Sequence, residues 1–432
     1  MPQGDAYSSK LIKFRITRRI ILRSEHIISR ANIDERALKV LYRLKNAGYK
    51  AYLVGGSVRD LLLGREPKDF DVATDALPEQ IRELFRNCRL IGRRFRLAHI
   101  HFGNKVIEVA TFRAQHADGE ADRVVKEGRI VRDNVYGDID EDVWRRDFTV
   151  NALYYNIEDF TVVDYVGGLE DIHSGRLRLI GDPASRFHED PVRLLRAVRF
   201  AVKLGFTIHA DTERPMFELG YLLGNIPPAR LFEELLKLFM GGCAVQTFER
   251  LRHYGLFGYL FPQAEAALSE EEEGFPHLLL VRALENTDRR IAQDKPVTPS
   301  FLFAALLWDP MRHLMDHYQA NGLSAMEALQ LAADTVISRQ VARIAMPRRF
   351  TQVTREIWAL QPRFDQRGGQ RPLRLLAHPR FRAAYDFLLL RAEAAGEKQE
   401  LADWWTEFQA ADPKRRQAMQ TALQRSTRRR RK

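Results

Sequence analysis

Two aspartates one residue apart, Asp69 and Asp71 in Lys68-Asp-Phe-Asp-Val72, are the first residues that could do chemistry. In a strand, residues i and i+2 share a face, so the two carboxylates converge on one point. Like charges so close repel and raise each other's pKa unless a cation lies between them, and hard divalent ions such as Mg²⁺ take carboxylate and water oxygens. Glu108 adds a third carboxylate as the one acid in the apolar run Val106-Ile-Glu-Val-Ala-Thr-Phe112, where an unpaired charge is costly. Three carboxylates on neighbouring strands are what two-metal phosphoryl or nucleotidyl transfer requires: one ion activates an attacking hydroxyl, the other holds a triphosphate. The competing readings are a solvated turn for the aspartates and a structural ion pair with a nearby arginine for Glu108.

Gly55-Gly56-Ser57 stands just before a helical pattern, and glycines let the backbone approach an anion at a helix start. Tight turns use the same dipeptide, so its value lies in its proximity to Asp69: one short helix and a return strand fit between them. Farther on, Asp190 precedes Pro191 as an N-cap would, and that role alone would explain it. Arg193 lies three residues later on the same side, so a carboxylate and a fork of donors are presented together.

The elements that must position these groups read as an α/β head followed by helices. Residues 34–48 predict a helix with Leu38, Leu41, Tyr42 and Ala47 near one face and Gly48 as its stop. Tyr52–Gly56 predicts a buried strand and Ser57–Gly64 a short helix with Ser57 near its N-cap. Further strands are expected at Phe70–Ala73, Leu97–Phe102, Val106–Phe112, Thr149–Tyr155 and Thr161–Val166, with Phe148, Val150 and Ala152 alternating into a core. From Asp190 onward the patterns are helical: Pro191–Leu204, Pro228–Met240, Gln246–Tyr254, Pro276–Leu284, Phe301–Leu307, Ala325–Arg339, Phe381–Ala395 and Leu401–Ala410.

The chain of 432 residues is long enough for several cores, and 45% apolar with 29% charged residues is the make-up of a globular protein. Two cysteines, Cys88 and Cys243, allow neither a zinc cluster nor a disulfide framework and fit a reducing compartment. Cys88 stands among arginines, but without a resolving partner it suggests no redox role. The longest apolar run, Phe301–Trp308, falls far short of the roughly 18 residues of a membrane span, and the N-terminal arm lacks the apolar segment of a secretory signal. Of the net charge of +11, residues 1–30 contribute seven Lys/Arg against Asp5 and Glu25, and Lys414–Lys432 contribute nine Lys/Arg and no acid. Basic ends on a near-neutral body point to a polyanion, nucleic acid before an anionic membrane surface, or to a solubilising tail.

Leu53-Val-Gly-Gly-Ser-Val-Arg-Asp-Leu-Leu-Leu-Gly64 followed by Asp69-Phe-Asp71 resembles the active-site signature of the class II nucleotidyltransferases. These are the tRNA CCA-adding enzymes and bacterial poly(A) polymerases of the polymerase-β superfamily. Arg145-Arg-Asp-Phe-Thr-Val-Asn-Ala152 and Glu189-Asp-Pro-Val-Arg-Leu-Leu-Arg-Ala-Val-Arg-Phe200 agree, in the right order. The resemblance implies two Mg²⁺ or Mn²⁺ ions on Asp69 and Asp71, with Glu108 completing the carboxylate set and no organic cofactor. Gly55, Gly56, Ser57 and Arg59 would line the phosphate pocket, with Arg146 nearby and Asp147 and Asn151 ordering the ribose side. Asp190 and Arg193 would read the edge of the incoming base. Arg196 and Arg199 would continue toward triphosphate, RNA or Glu233/Glu234.

Leu90-Ile-Gly-Arg-Arg-Phe-Arg-Leu-Ala-His-Ile100 resembles bacterial poly(A) polymerases, where CCA-adding enzymes carry a less basic stretch. Arg82, Arg86, Arg89, Arg93, Arg94 and Arg96 build a cationic patch expected to bind RNA, interleaved by Phe95, as do Arg428, Arg429 and Arg430 of the tail. His378-Pro-Arg-Phe-Arg-Ala-Ala-Tyr-Asp-Phe387 and the segment of Trp404 and Trp405 resemble the same enzymes, with the tryptophans expected in a core rather than as stacking platforms.

The expected organisation is an α/β nucleotidyltransferase head, a mixed sheet with few helices, followed by all-α neck, body and C-terminal domains. The expected bounds are a basic arm at 1–30, head at 31–165, base-recognising neck at 166–240, body at 241–366, RNA-positioning domain at 367–413 and disordered tail at 414–432. The expected activity is template-independent addition of AMP from ATP to RNA 3′ ends with release of pyrophosphate. The alternatives are CCA addition to tRNA and, in another class, an inactive RNA-binding scaffold. Expected partners are RNA 3′ ends and ATP, with RNA-decay or RNA-chaperone proteins as further candidates, for a cytoplasmic monomer without a transmembrane segment.

Overall fold

The computed structural model describes residues 18–92, 96–114, 123–126, 129–133, 135–269, 278–395 and 398–430. The chain divides into two compact units, Met1–Arg193 with Gly205–Pro215 and Leu194–Leu204 with Met216–Lys432. The division falls inside a helix of the segment expected as a neck, not at either of that segment's borders.

The first unit is built on an eight-stranded mixed sheet. In chain order its elements are β1 (Arg19–Ile21), α1 (Glu35–Asn46), β2 (Ala51–Val54), α2 (Gly56–Leu62), β3 (Asp71–Thr74), α3 (Pro78–Leu84), β4 (Cys88–Ile91), β5 (Leu97–Phe102) and β6 (Lys105–Thr111). A separate hairpin of β7 (Arg123–Lys126) and β8 (Arg129–Asp133) follows, then α4 (Ile139–Arg145), β9 (Leu153–Asn156), β10 (Val162–Asp164), α5 (Gly168–His173) and α6 (Pro183–Glu189); the next helix, α7 (Val192–Leu204), is the one inside which the division falls. The sheet order is β1-β10-β9-β2-β3-β6-β5-β4. All its pairs are antiparallel except β3 with β6.

Alternation aims the site. Along β6, Ile107 and Val109 are buried while Val106 and Glu108 face out, and β5 buries Ala98 and Ile100 and turns His99 and His101 the other way. On the opposite face, the one to which Glu108 and Asp71 point, Val54, Ala73, Tyr154 and Val163 pack with Phe112, Val143 and Ala152 as one buried cluster beside the site. Helix α1 is capped by Asp34, whose carboxylate accepts the Arg36 amide at 2.8 Å, and it buries Ala37, Val40, Leu41 and Leu44. Its core face is therefore rotated from the expected Leu38–Tyr42 side, because the spacing 37/40/41/44 makes the narrower apolar stripe.

Three expectations are corrected. Thr149–Asn151 is a turn of 3₁₀ helix, and the strand begins only at Leu153. Phe148, Val150 and Ala152 are buried as expected, but from a turn whose backbone bonds locally. Part of the expected N-terminal arm is strand β1, paired with β10. The tail expected to be disordered is helical over Pro413–Arg430, a run opened by proline at its first turn and free of later glycine or proline.

The second unit is all-helical in its described residues. One of its cores gathers Leu360, Phe364, Phe381, Tyr385, Leu388, Leu401, Trp405 and Phe408. Trp405 is fully buried and donates Nε1–H to the Phe364 carbonyl at 2.9 Å, while Trp404 stacks on Phe408. Trp405 is therefore a core residue, and Trp404 is partly buried against that core.

Candidate active site

The carboxylates meet where β3 and β6 run parallel. Asp71 opens β3 and stands in register with Glu108 of β6, so the pleat sends both side chains to one face. Asp69 lies two residues before the strand, in the segment leading into it, and not in the strand itself. Asp71 keeps a water-accessible face, yet the protein mass around it, then Glu108, and then Asp69 push its carboxyl up to about 6, with Arg146 pulling the other way. Glu108 Oε1 lies 3.2 Å from His99 Nε2. The side chain beside Glu108 is thus a histidine, where an arginine had been the alternative. Among the described residues no three carboxyl, imidazole or thiol groups converge as a ready-made metal cluster. The donor set still suits a hard divalent ion: oxygen ligands only, with one carboxyl held above its ordinary range by burial and then by its acidic neighbours.

This arrangement gives a pH prediction with a definite sign. Between about 4, its unfolded value, and about 6, folded Asp71 binds a proton that unfolded Asp71 has lost. Its contribution to stability therefore falls as pH rises through that window, and a bound cation reverses the loss. The melting-temperature gain from saturating Mg²⁺ should be near zero below about pH 5 and grow above pH 6. An equal gain at pH 5 and pH 8 in a thermal melt would remove Asp71 from the cation's ligands.

The glycine turn lies against the same carboxylate. Gly55 sits at φ +73°, and a Cβ there would stand 3.7 Å from Arg146 Nη1 and 3.9 Å from Asp71 Oδ2. It is Gly55, and not Ser57, that caps α2; the Ser57 hydroxyl is buried and donates to the Val54 carbonyl at 2.9 Å. Arg146 is fixed by two groups that sequence reasoning missed. Asp142 Oδ2 accepts its Nε and Nη2 at 3.2 and 3.0 Å, and the Tyr154 hydroxyl accepts Nε at 2.7 Å and donates to the same Asp142 oxygen. These bonds turn Nη1 toward the Gly55 turn.

Arg59 is placed differently from expectation. It is only 2% exposed, bonded through Nε and Nη2 to Asp60 and through Nη1 to Asn151 Oδ1 at 2.6 Å. Asn151 Nδ2 in turn donates to Asp147 Oδ1 at 3.1 Å, and the Phe148 amide donates to that same oxygen. Arg59 thus orders the Asp147–Asn151 turn, and Gly56 lies against it, with Arg59 Nη2 3.3 Å from where a Cβ would be. The turn is braced from behind by Asp171, which accepts the Thr149 hydroxyl at 2.7 Å and binds Arg178 through both oxygens. Asp164 caps α5 by accepting the amides of Val166, Gly167, Gly168 and Leu169.

Gly168 leaves no room for a side chain, since a Cβ would stand 2.3 Å from the Thr149 carbonyl oxygen and 2.9 Å from its carbon. Gly168→Ala must move backbone, at about 1–3 kcal/mol. The melting temperature should fall by several degrees and the ATP KM should rise; a thermal melt and an ATP titration decide it, and unchanged values for both would discount the brace.

Asp190 and Arg193 hold the junction between α6 and α7. Asp190 Oδ1 accepts the Val192 amide at 3.3 Å, the capping role its position before Pro191 suggested. Arg193 Nη1 donates to Glu189 Oε2 at 3.0 Å and to the Arg186 carbonyl at 2.8 Å. The carboxylate seen on Arg193 is therefore Glu189, whose Oε2 also accepts Arg186 Nη1 at 2.6 Å. Arg186 Nη2 donates onward to the Arg146 carbonyl, and burial, then the Arg193 charge, bring the Arg186 guanidinium down to about 10. For Arg186 and Glu189 the available signal was their i,i+3 spacing on one helix; the break at Asp190 and Pro191 hid the pairing with Arg193. For Asp142 the signal was its i,i+4 relation to Arg146. Arg196 belongs to the second unit, where it lies over the Phe200 ring; Arg199 lies over the same ring and stands 3.6 Å from Glu234 Oε2.

The sequence compares closely with known proteins. Residues 51–178 match the family described as the poly A polymerase head domain. Residues 205–268 match its probable RNA and SrmB-binding site, and 321–432 its arginine-rich C-terminus. Poly(A) polymerase I of Salmonella typhimurium is 51% identical over 411 residues, 94% of this chain and 88% of that protein. The chain belongs to the bacterial poly(A) polymerase family. A CCA-adding enzyme of Bacillus pumilus is 36% identical, over only 56% of this chain and 59% of its own. Among solved structures, an apo form of a CCA-adding enzyme superposes with a TM-score of 0.60 at 20% identity, covering 90% of this chain and 86% of its own. The fold is thus common to both branches.

Within this poly(A) polymerase chain, Arg82, Arg86, Arg89 and Arg96 are exposed around α3 and the edge strand β4, with Arg96 Nη1 2.6 Å from Glu79 Oε1. Arg93, Arg94 and Phe95 lie outside the described residues. Arg428, Arg429 and Arg430 lie on the C-terminal helix, with their side chains outside the described set. Burial raises the Cys88 thiol despite Arg82, which leaves it less reactive than its basic surroundings suggested. No helix among the described residues is long and apolar enough to cross a membrane.

Proposed function

We propose that the chain transfers AMP from ATP to the 3′-hydroxyl of RNA without a template. The hydroxyl oxygen bonds the α-phosphorus as the bond to the β-phosphate breaks, and pyrophosphate leaves. The observation that carries the reading is the in-register pair Asp71 and Glu108, with Asp69 before it and the Gly55 turn and Arg146 beside it. Asp69 and Asp71 would hold two Mg²⁺ or Mn²⁺ ions, with Glu108 completing the set. Bound there, such ions supply a Lewis acid for the phosphate oxygens and lower the pKa of the attacking hydroxyl.

The rest falls to this chain's own groups. The Gly55–Gly56 turn lets the triphosphate approach the backbone, and Arg146 meets its charge through Nη1, held by Asp142 and Tyr154. Asp147 and Asn151, locked by Arg59, orient the ribose side. Asp190 and Arg193 present an acceptor and a donor to the base edge, matching adenine N6–H and N1. The exposed arginines around β4 and the basic C-terminal helix would bind RNA phosphates. The reading implies a cytoplasmic monomer that acts on RNA 3′ ends, with RNA-decay or RNA-chaperone proteins as candidate partners.

Incorporation of ATP against CTP on an RNA with an unstructured 3′ end, with Mg²⁺, tests the proposal. Long tails from ATP alone are expected. Prior use of CTP and a stop after three additions would indicate CCA addition, and no incorporation of either would indicate a binding scaffold.

A further inference from the structure

Glu108 stands between two polar neighbours. β3 runs on one side of it, with Asp71 in register, and β5 on the other, where His99 is its antiparallel partner. The alternation of all three strands sends Asp71, Glu108 and His99 to one face, with Val72, Ala98, Ile100, Ile107 and Val109 buried on the other. His99 Nε2 is shut off from solvent, completes no hydrogen bond as it stands, and lies 3.2 Å from Glu108 Oε1, an acceptor that a small turn of either side chain would engage. The Glu108 side chain is about half exposed, so without His99 little in its surroundings would fix its direction. His99 also belongs to the Leu90–Ile100 segment, whose arginines alone had been given a task.

We propose that His99 is the positioning residue of Glu108. Resting on the two-metal reading, its N–H would engage one carboxylate oxygen, Oε1, and leave Oε2 for the cations that Asp69, Asp71 and Glu108 would hold. An imidazole suits this task because it offers a single N–H. A lysine or arginine would bring a full charge to the carboxylate and compete with the metal. Outer partners of this kind typically change metal affinity by about 10–100-fold when removed.

The test measures Mn²⁺ binding to the full chain without RNA or ATP, by the electron paramagnetic resonance of free Mn²⁺, beside the Mg²⁺ dependence of ATP incorporation. His99→Ala should raise the half-saturating Mn²⁺ concentration by about 10–100-fold. In His99→Gln the amide nitrogen reaches the place of Nε2, and half-saturation should stay within about threefold of the parent. The shorter His99→Asn places its nitrogen near Nδ1 and should behave like His99→Ala. Half-saturation within about twofold in the Ala variant, or equal behaviour of Gln and Asn, overturns the assignment. If the Ala variant does not fold, the Gln and Asn pair decides alone. Asp71→Asn is the control. Unaltered Mn²⁺ binding in it removes the two-metal reading itself, whereas lost binding there with no effect at His99 removes only the positioning role.

Discussion

Asp71→Asn should lower AMP incorporation by at least about a thousandfold while the metal-free protein gains in melting temperature near neutral pH. The two effects share one cause. Asp71 carries a charge that burial, Glu108 and Asp69 all oppose, which is why its carboxyl rises to about 6. Asparagine keeps the volume and removes the charge, so the repulsion disappears together with the ligand that a divalent ion needs. Asp69→Asn should lose activity to a similar degree. Steady-state ATP incorporation and thermal melts without metal measure the pair of effects. Retention of more than about a tenth of the parental activity with Mg²⁺ would sink the metal-ligand role of the residue replaced. Lost activity with a sharply lower melting temperature would mean that the carboxylate holds the strand together instead.

Arg193→Ala should cut ATP use by about a hundredfold and leave RNA affinity near its parental value. The guanidinium is held by Glu189 and the Arg186 carbonyl, so it is already oriented when a base arrives. Removing it deletes one half of the proposed base-reading pair, while Arg186 still partners Glu189. Arg193→Lys should not restore activity, because a lysine cannot hold Glu189 and a base together with a planar fork. The deciding measurement is the ratio of ATP to CTP incorporation beside an RNA-binding titration. Equal losses with both nucleotides, joined to a lower melting temperature, would make Arg193 a strut of the α6–α7 junction and nothing more.

The carboxylates were legible in the sequence because each is an acid where the pattern demands an apolar or turn residue. Strands β5 and β6 were legible because their alternation runs over six and seven residues, and β2 because its buried apolar run stops at two glycines. The role of His99 was not, since register between strands is a property of pairing that no local pattern carries. β1 escaped notice because three residues cannot show a period, and β4 because its four alternate in half-buried and exposed positions beside a run of arginines. The resemblance implied that Arg59 lines the phosphate pocket. Its burial against Asn151 depends on a contact 92 residues away. The Asp147–Asn151 turn alternated as a strand would, and only its local backbone bonds distinguish the 3₁₀ turn.

The bond from Arg186 to the Arg146 carbonyl joins two parts that otherwise have separate duties. Arg186 shares Glu189 with Arg193, and Arg146 faces the glycine turn, so the groups proposed for base edge and phosphate are connected by a chain of hydrogen bonds that passes through the Arg146 backbone. A nucleotide that fits the phosphate end but disturbs Arg193 disturbs that chain along its length. On the proposed roles, fidelity in such a linkage would reside in the speed of turnover more than in the tightness of first capture: a wrong nucleotide would dock, and then react slowly.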